Sequence, residues 1–518
     1  MSKHFFILIL IIFLGVFLRI YQITSIPPGL YPDEAINGNN GWEAVETKSF
    51  KVFYPENNGR EGLFINLVGI FLKIFNYHHY SIRLVSVFVG ILTILGIYLL
   101  AKEIFKDNLI AILSTFFLAV SFWHLNFSRI GFRGILLPFF ISFGFYFYFL
   151  AKRKKSKILW FLSGTIIGLG FHSYISYRVI VILLFVLFLK DVVERKEIQQ
   201  ESLPQKTHFY FFNLKISKIR PIVLASLTFS KQIFCFYLIF FFGMFLAALP
   251  LGIYFLNHYS DFISRASGVS IFKSQSPIRA FFESLVKHLL MFNFSGDCNF
   301  RHHLSCFPQL LNFDYFFFLV GIFALIKSKK ISKEVKIFVF SGFFIFLLPS
   351  VLTCEGIPHS IRSIGCIPFI YLLVGFGAKK FFEILKNLKV RYFFMFFILT
   401  SSFFLTFYFY FYKWARSKNV KDAFSYSYFE ISNYLNSLPK ERKKYVVCNV
   451  DGVLVRDRSS NEFLPMPCQS IMFLTNSFLK KEAQKRNIYY LSEKKYYENK
   501  KFFDKSGVVV KLNSDKKG

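Results

Sequence analysis

Hydrophobic runs suited to crossing a lipid bilayer recur along most of this chain, and no soluble core calls for so many. After a first run from Phe5 to Leu18, they centre near Phe88, Phe117, Phe143, Ile166, Leu183, Phe242, Phe318, Phe344, Leu372 and Phe403. The pattern makes about eleven transmembrane helices and predicts an α-helical polytopic membrane protein. Composition agrees, with 54% hydrophobic and 18% charged residues against about 25% charged in ordinary soluble proteins. A soluble globular enzyme is thereby excluded. The 75 phenylalanines read as bulky apolar residues suited to lipid, not as a functional stacking surface. The first run follows Lys3, and Arg19, Ile20 and Tyr21 stand where a small-residue cleavage site would be, so it reads as a retained anchor.

The 63 basic and 30 acidic residues give a net charge of +33, which in a soluble protein would suggest nucleic acid or an anionic surface. Here most of the excess marks the inner loops. A shorter run, Gly62 to Phe75, decides the assignment. Taken as a juxtamembrane helix over 62–76, it leaves the basic segments Lys102–Lys106, Lys152–Lys157, Lys190–Lys231, Lys327–Lys336 and Lys379–Arg391 all inside. Taken as a span, it turns all five outward. The expectation is therefore a multi-pass plasma-membrane protein with a cytoplasmic N-terminus and an extracytoplasmic C-terminus. Residues 1–412 form the membrane domain, with outer loops at 23–61 and 257–312. Residues 413–518 form a small extracytoplasmic α/β domain, with β-rich runs at Tyr445–Val450 and Gly507–Leu512 and a helix at Tyr428–Leu438. Cys448, Asp451 and Asp457 in this tail are scattered and suggest no catalytic group.

The outer loops carry the chemistry. Ile26-Pro27-Pro28-Gly29-Leu30-Tyr31-Pro32-Asp33-Glu34-Ala35 follows the first anchor. Asp33 there is a helix N-cap, with Glu34 in the first turn, or a general base at the membrane surface, or both. Phe127-Ser128-Arg129-Ile130-Gly131-Phe132-Arg133-Gly134 places Arg129 and Arg133 four residues apart, suited to a phosphate or to snorkelling toward headgroups. Ser295-Gly296-Asp297-Cys298-Asn299-Phe300-Arg301-His302-His303-Leu304-Ser305-Cys306 is the densest polar cluster. Its Cys298, His302, His303 and Cys306 have zinc-ligand types but match no common zinc spacing. Free thiols are the expectation, with a Cys298–Cys306 disulfide as the alternative on an oxidising face. Cys354-Glu355-Gly356-Ile357-Pro358-His359-Ser360-Ile361-Arg362 reads as a second charged turn, either a site or a Glu355–Arg362 ion pair.

Tyr31-Pro32-Asp33-Glu34-Ala35, Gly296-Asp297 with Arg301-His302, and Glu355-Gly356-Ile357-Pro358-His359 with Arg362 together resemble the GT-C-fold polyprenyl-phosphate-dependent glycosyltransferases. That family includes protein O-mannosyltransferases and lipid A aminoarabinose transferases. The resemblance spans residues 1 to about 400. It implies an inverting transfer of a sugar from a polyprenyl-phosphate donor to a protein, lipid or glycan acceptor, with membrane lipids as surroundings and no role for nucleic acid. Asp33 would be the catalytic base, with Glu34 beside it. Arg129, Arg133, Arg301, His302 and Arg362 would hold the donor phosphate, and Asp297, Glu355 and His359 are further site candidates. No cofactor is required, and a divalent metal is compatible but not indicated. Many relatives carry an acidic residue in the second outer loop, where this chain has only Arg129 and Arg133. The alternative class is a transporter or flippase for lipid-linked sugars, which charged residues within the spans would favour. An oligosaccharyltransferase is disfavoured because the tail lacks a Trp-Trp-Asp motif.

Overall fold

The computed structural model describes residues 3–201, 219–311, 313–499 and 506–513. Part of the basic stretch expected at Lys190–Lys231 lies outside them. From the N-terminus, α1 (Lys3–Ile20) leads through a polar loop to α2 (Pro32–Glu46), the short strands β1 (Phe53–Tyr54) and β2 (Arg60–Glu61), and α3 (Gly62–Ile74). The bundle continues through α4 (His79–Phe105), α5 (Asn108–Ala119), α6 (Phe122–Phe127), α7 (Leu136–Lys154), α8 (Lys157–Leu169), α9 (Ile180–Glu201) and α10 (Ile219–Asn257). Helices α11 (Tyr259–Gly268) and α12 (Pro277–Leu290) then precede α13 (Asp314–Lys327), α14 (Lys333–Val351), α15 (Ile367–Ile384) and α16 (Leu388–Phe407), which widens into a π-helix at Tyr408–Trp414.

Every apolar run read from the sequence falls on one of these helices. Among the described residues, seven helices are long and apolar enough to cross a membrane. The runs centred on Phe117, Ile166 and Phe318 form helices of 12, 13 and 14 residues, shorter than a usual span. Helix α3 has 13 residues and rises about 20 Å, against a hydrocarbon core of about 30 Å. Its Phe64, Ile65, Val68 and Leu72 are buried while Ile70 and Ile74 are exposed. Helix α15 is buried at every position from Ile367 to Ala378 and forms the centre of the bundle.

The two ends of the bundle differ in character. At one end, Arg153 Nε lies 2.7 Å from Glu103, Lys152 Nζ lies 2.9 Å from Asp191 and also pairs with Glu334, and Lys379 pairs with Asp107. The basic segments of several loops therefore meet there, each beside a carboxylate. The other end holds the four polar loops singled out above.

Helix α2 is polar yet largely buried, and its placement rests on close backbone packing. A Cβ at Gly41 would fall 2.6 Å from the Ile65 carbonyl oxygen, and one at Gly69 would fall 2.2 Å from the Gly41 oxygen. Only glycine at both positions lets α2 and α3 cross at this distance. Pro32 occupies the first helical turn, and the N–H of Tyr31, the N-cap residue, donates to Glu34 Oε2 at 3.4 Å. Tyr31 is thus the N-cap, and Asp33, read as a possible N-cap, lies inside the first turn.

The tail forms a small α/β domain. Its parallel sheet has the order β6-β3-β7, with β3 (Lys444–Asn449) between β6 (Ile488–Ser492) and β7 (Val508–Asn513). A β4–β5 hairpin (Leu454–Arg456, Phe463–Pro465) and helices that include Tyr426–Ser437 and Cys468–Leu474 complete it. The domain docks on α2: Asn39 Nδ2 donates to the Gln469 carbonyl and side-chain oxygens at 3.1 and 2.9 Å, and Ser470 Oγ donates to Leu30 O at 2.9 Å.

Cysteine pairing differs from the sequence expectation of free thiols. Cys298 pairs with Cys306 and Cys448 with Cys468, leaving Cys235, Cys354 and Cys366 free. Both disulfides lie at the polar-loop end.

Candidate active site

The four loops enclose a cavity of about 1720 Å³ at the end of the bundle, walled on one side by the C-terminal domain. Asp33, Arg133, Asp297, Arg301, His302, Glu355, His359 and Arg362 all line it. Glu34, Arg129 and His303 do not.

Asp33, Asn37 and Asn40 share one face of α2, as spacing of three and four residues requires. The Asp33 carboxylate is half-buried, and its Oδ1 accepts a 2.6 Å hydrogen bond from Asn57 Nδ2. Beneath it, Arg60 is buried and donates to Asn37 Oδ1 at 2.9 Å, Asn40 Oδ1 at 2.5 Å and Glu56 O at 3.2 Å. Burial, with the like charge of Arg133, lowers Arg60 to about 9, an effect that Glu56 and Asp33 oppose. Tyr31 is pushed up to about 12 by burial and by the neighbouring Asp33 charge.

Glu34 takes a different place from the one expected of a catalytic carboxylate. It is wholly buried and accepts from Arg83 Nε at 3.0 Å, Arg83 Nη2 at 3.2 Å and the Gly131 N–H at 2.8 Å. These bonds join α2, α4 and the second outer loop, and Glu34 Oε2 also accepts from the Tyr31 N–H at the start of its own helix. Arg129 is likewise spent on structure. Its guanidinium donates to the carbonyl oxygens of Leu18, Arg19, Tyr21 and Ile26 at 2.8 to 2.9 Å and packs on Tyr410 and Phe411. No face remains for a phosphate.

The other expected phosphate-binding groups divide by partner. Arg133 Nε lies 2.9 Å from Glu61, with its guanidinium over Tyr174. Arg362 donates to Thr353 Oγ1 and Glu355 O at 2.9 and 2.8 Å and lies 3.5 Å from the exposed Glu355 carboxylate. The Glu355–Arg362 ion pair considered from sequence is therefore present. Arg301 has no carboxylate partner among the described residues. Its guanidinium stacks 4.1 Å from the centre of the Tyr31 ring, two residues from Asp33.

The Cys298–Cys306 disulfide closes the turn that presents Arg301 and His302. Asn126 Nδ2 pins that turn by donating to Arg301 O and His302 O at 2.7 and 2.8 Å, and Trp414 Nε1 donates to Phe300 O at 2.8 Å. His302 Nδ1 lies 2.8 Å from Asp297 Oδ2, which also accepts from the Ser360 N–H and Oγ at 2.8 and 2.7 Å. Burial alone would raise Asp297, but His302, His359 and the Ser360 hydrogen bond outweigh it and hold the carboxyl well below the usual range. Burial, then His302 and Arg362, push His359 well below an ordinary histidine.

The zinc set read from the sequence is dissolved by this arrangement. Its two cysteines are joined to each other, and His303 is buried against Phe122, 4.5 Å between ring centres, where burial holds it down to about 4. Among the described residues, Asp297, His302 and His359 form the one group with metal-ligand types, their ligand atoms within 4.8 Å of one another. Asp297 Oδ2 already accepts three hydrogen bonds there, whereas His359 Nδ1 is buried with no hydrogen-bond partner among the described residues.

Several site residues escaped the sequence reading. Arg60 and Asn57 lie in the first outer loop, where asparagine and a lone arginine carry no distinctive signal. Arg83 was detectable, because an arginine within the apolar run of α4 needs a partner. Arg458 comes from the tail: its Nε lies 2.8 Å from Glu43 and its Nη2 2.8 Å from Glu56. Burial opposes ionisation of Glu56, yet the Arg458 hydrogen bond and charge keep its carboxyl below the usual range.

Residues 63–209 match the family described as dolichyl-phosphate-mannose-protein mannosyltransferase. In structure the chain is similar to ArnT from Cupriavidus metallidurans bound to undecaprenyl phosphate, with a TM-score of 0.54 at 10% identity, covering 97% of this chain and 94% of that one. The apo state of the same protein gives a TM-score of 0.54 at 9% identity, covering 92% and 86%. No curated protein matches in sequence. The chain is a multi-pass membrane protein with the GT-C fold, and it is similar to the polyprenyl-phosphate-dependent glycosyltransferases built on that fold.

Proposed function

We propose that this protein is an inverting glycosyltransferase that moves a sugar from a polyprenyl-phosphate donor to an acceptor hydroxyl or amine at the outer face of the membrane. The observation that carries the reading is the meeting of Asp33 and Arg301 on one cavity, on either side of Tyr31. Asp33 Oδ2 has no hydrogen-bond partner among the described residues and lines the cavity, which supports it as the base that takes the acceptor's proton. As the acceptor oxygen or nitrogen bonds to the anomeric carbon, the bond from that carbon to the phosphate oxygen breaks. The phosphate leaves with its charge, so a cation suffices and no general acid is needed. Arg301 supplies that cation, with Arg133, Arg362 and His302 around it. The undecaprenyl phosphate bound to ArnT supports a long-chain polyprenyl phosphate as carrier.

Two features support the outward placement of the cavity. The basic loop segments gather at the opposite end, and both disulfides lie at this one, as an oxidising compartment permits. A reporter active only outside the cytoplasm, fused after Lys418, is expected to be active, and one after Lys155 inactive; the reverse would overturn the sidedness.

The enzymatic test uses the reconstituted full chain with radiolabelled undecaprenyl-phosphate mannose, glucose or aminoarabinose and native membranes as acceptor. Asp33→Asn is expected to lower transfer by about 10²-fold or more while leaving insertion intact. Unchanged transfer by that variant would overturn Asp33 as the base.

A further inference from the structure

The β1–β2 hairpin carries a five-residue loop, Pro55–Gly59, whose tip leans on Asp33. The loop is closed on itself by Gly59 N donating to Pro55 O at 3.1 Å and by Arg60 Nε donating to Glu56 O at 3.2 Å. Asn57, Asn58 and Gly59 all take left-handed backbone, with φ of 54°, 60° and 81°. That backbone turns the Asn57 amide onto Asp33 Oδ1 at 2.6 Å. An aspartate in an open cavity would sample several rotamers. A single donor on one oxygen restrains the carboxylate plane and leaves the other oxygen without a hydrogen-bond partner among the described residues.

The loop is in turn held from outside the membrane domain. Arg458, from the turn of the β4–β5 hairpin, reaches Glu43 with Nε at 2.8 Å and Nη2 at 3.2 Å, and reaches Glu56 with Nη2 at 2.8 Å. Glu43 lies on α2, the helix that carries Asp33, and Glu56 lies beside Asn57. One guanidinium thus ties the helix bearing Asp33 to the loop bearing its hydrogen-bond donor, and all three side chains are about four-fifths shielded from solvent.

We propose that Asn57 is the positioning residue for Asp33 and that the C-terminal domain sets its position, through Arg458 on Glu43 and Glu56. The inference rests on the reading of Asp33 as the base. It assigns the soluble domain a part in turnover: with Arg458 undocked, the loop relaxes and the carboxylate loses its fixed plane.

The test compares kcat and donor KM for full-length variants in the transfer assay above. Asn57→Gly keeps the left-handed backbone and removes only the amide. It is expected to lower kcat about ten- to hundredfold with donor KM unchanged, the scale of a misplaced catalytic group. Asn57→Asp, which suits the same backbone but cannot donate when ionised, is expected to fall at least as far. Arg458→Ala is expected to lower kcat in the same way, and Arg458→Lys to recover part of the loss. Wild-type kcat in Asn57→Gly, with Asp33→Asn inactive, would overturn the positioning role of Asn57. Wild-type kcat in Arg458→Ala beside a slow Asn57→Gly would overturn the part given to the domain. Wild-type transfer by Asp33→Asn would instead fault the underlying reading of the base.

Discussion

Glu34 and Arg83 form a two-point ion pair, with distances of 3.0 and 3.2 Å, in which both side chains are fully buried. The same arginine donates to the carbonyl oxygens of Pro27 and Gly29 at 2.6 and 2.8 Å, so the pair also shapes the loop that leads to Asp33. Removing one member leaves an uncompensated charge in the interior. Glu34→Ala is therefore expected to destabilise the protein by about 3–5 kcal/mol. A large drop in melting temperature in detergent, next to an unshifted Asp33→Asn, checks this. Equal melting of the two variants would refute it.

Arg301 and Arg129 should behave differently despite being grouped together by sequence. Arg301 stacks on Tyr31 without a carboxylate partner among the described residues, so Arg301→Ala is expected to raise donor KM by about tenfold or more, the loss of one charge-assisted phosphate contact. Arg129 is buried, and both of its terminal nitrogens are spent on four carbonyl oxygens. Arg129→Ala is expected to reduce folded yield and leave the donor KM of the surviving protein unchanged. The measurement is initial rate against donor concentration.

The Cys298–Cys306 bridge closes the turn that carries Arg301 and His302. Replacing both cysteines with serine frees that turn in the unfolded chain and is expected to cost about 2–3 kcal/mol of stability, together with a rise in donor KM. Under non-reducing native conditions, a thiol reagent should modify the exposed Cys354 and spare Cys298 and Cys306. Labelling of Cys298 in the untreated protein would contradict the pairing.

Acid should weaken the site end before it unfolds the bundle. His303 is held neutral down to about 4 by burial, against an ordinary value of 6.5. Between those values the unfolded chain binds a proton that the folded chain refuses, so stability falls as pH drops through this window, by up to about 3 kcal/mol. Asp297, whose folded value is depressed, adds stability that is present above the ordinary carboxylate range and is lost as pH falls below it. Melting temperature measured from pH 7 to 4 should decline, and His303→Asn should flatten the upper part of that decline.

The membrane fold was legible because hydropathy is a property of consecutive residues. Each apolar run became a helix, although α5, α8 and α13 proved shorter than full spans. The tail was read correctly at β3, β7 and the helix over Tyr426–Ser437, while β6 and the β4–β5 hairpin were missed, since short strands without strong alternation carry little signal. The Cys298–Cys306 bridge stood only as an alternative to free thiols and the Cys448–Cys468 pairing was missed, because pairing depends on which thiols meet in space.

Sequence alone determined the class of the molecule and the polar loops that come to line its cavity, because chain hydropathy and the spacing of charges act locally. It also brought forward Asp33, since a carboxylate just beyond an anchor stands out in a chain with so few acidic residues. Tertiary structure alone decided which neighbours had duties. Asp33 and Glu34 are adjacent in the chain, yet one faces the cavity and the other closes on Arg83, because successive helical positions point about 100° apart. Arg129 and Arg301 look alike in sequence, yet one is consumed by carbonyl oxygens from the end of α1 and the loop after it, and the other stacks on Tyr31 beside the cavity with no carboxylate partner among the described residues. A charge is available or spent according to what lies within about 3 Å of it, and that is set by residues a hundred or more positions away.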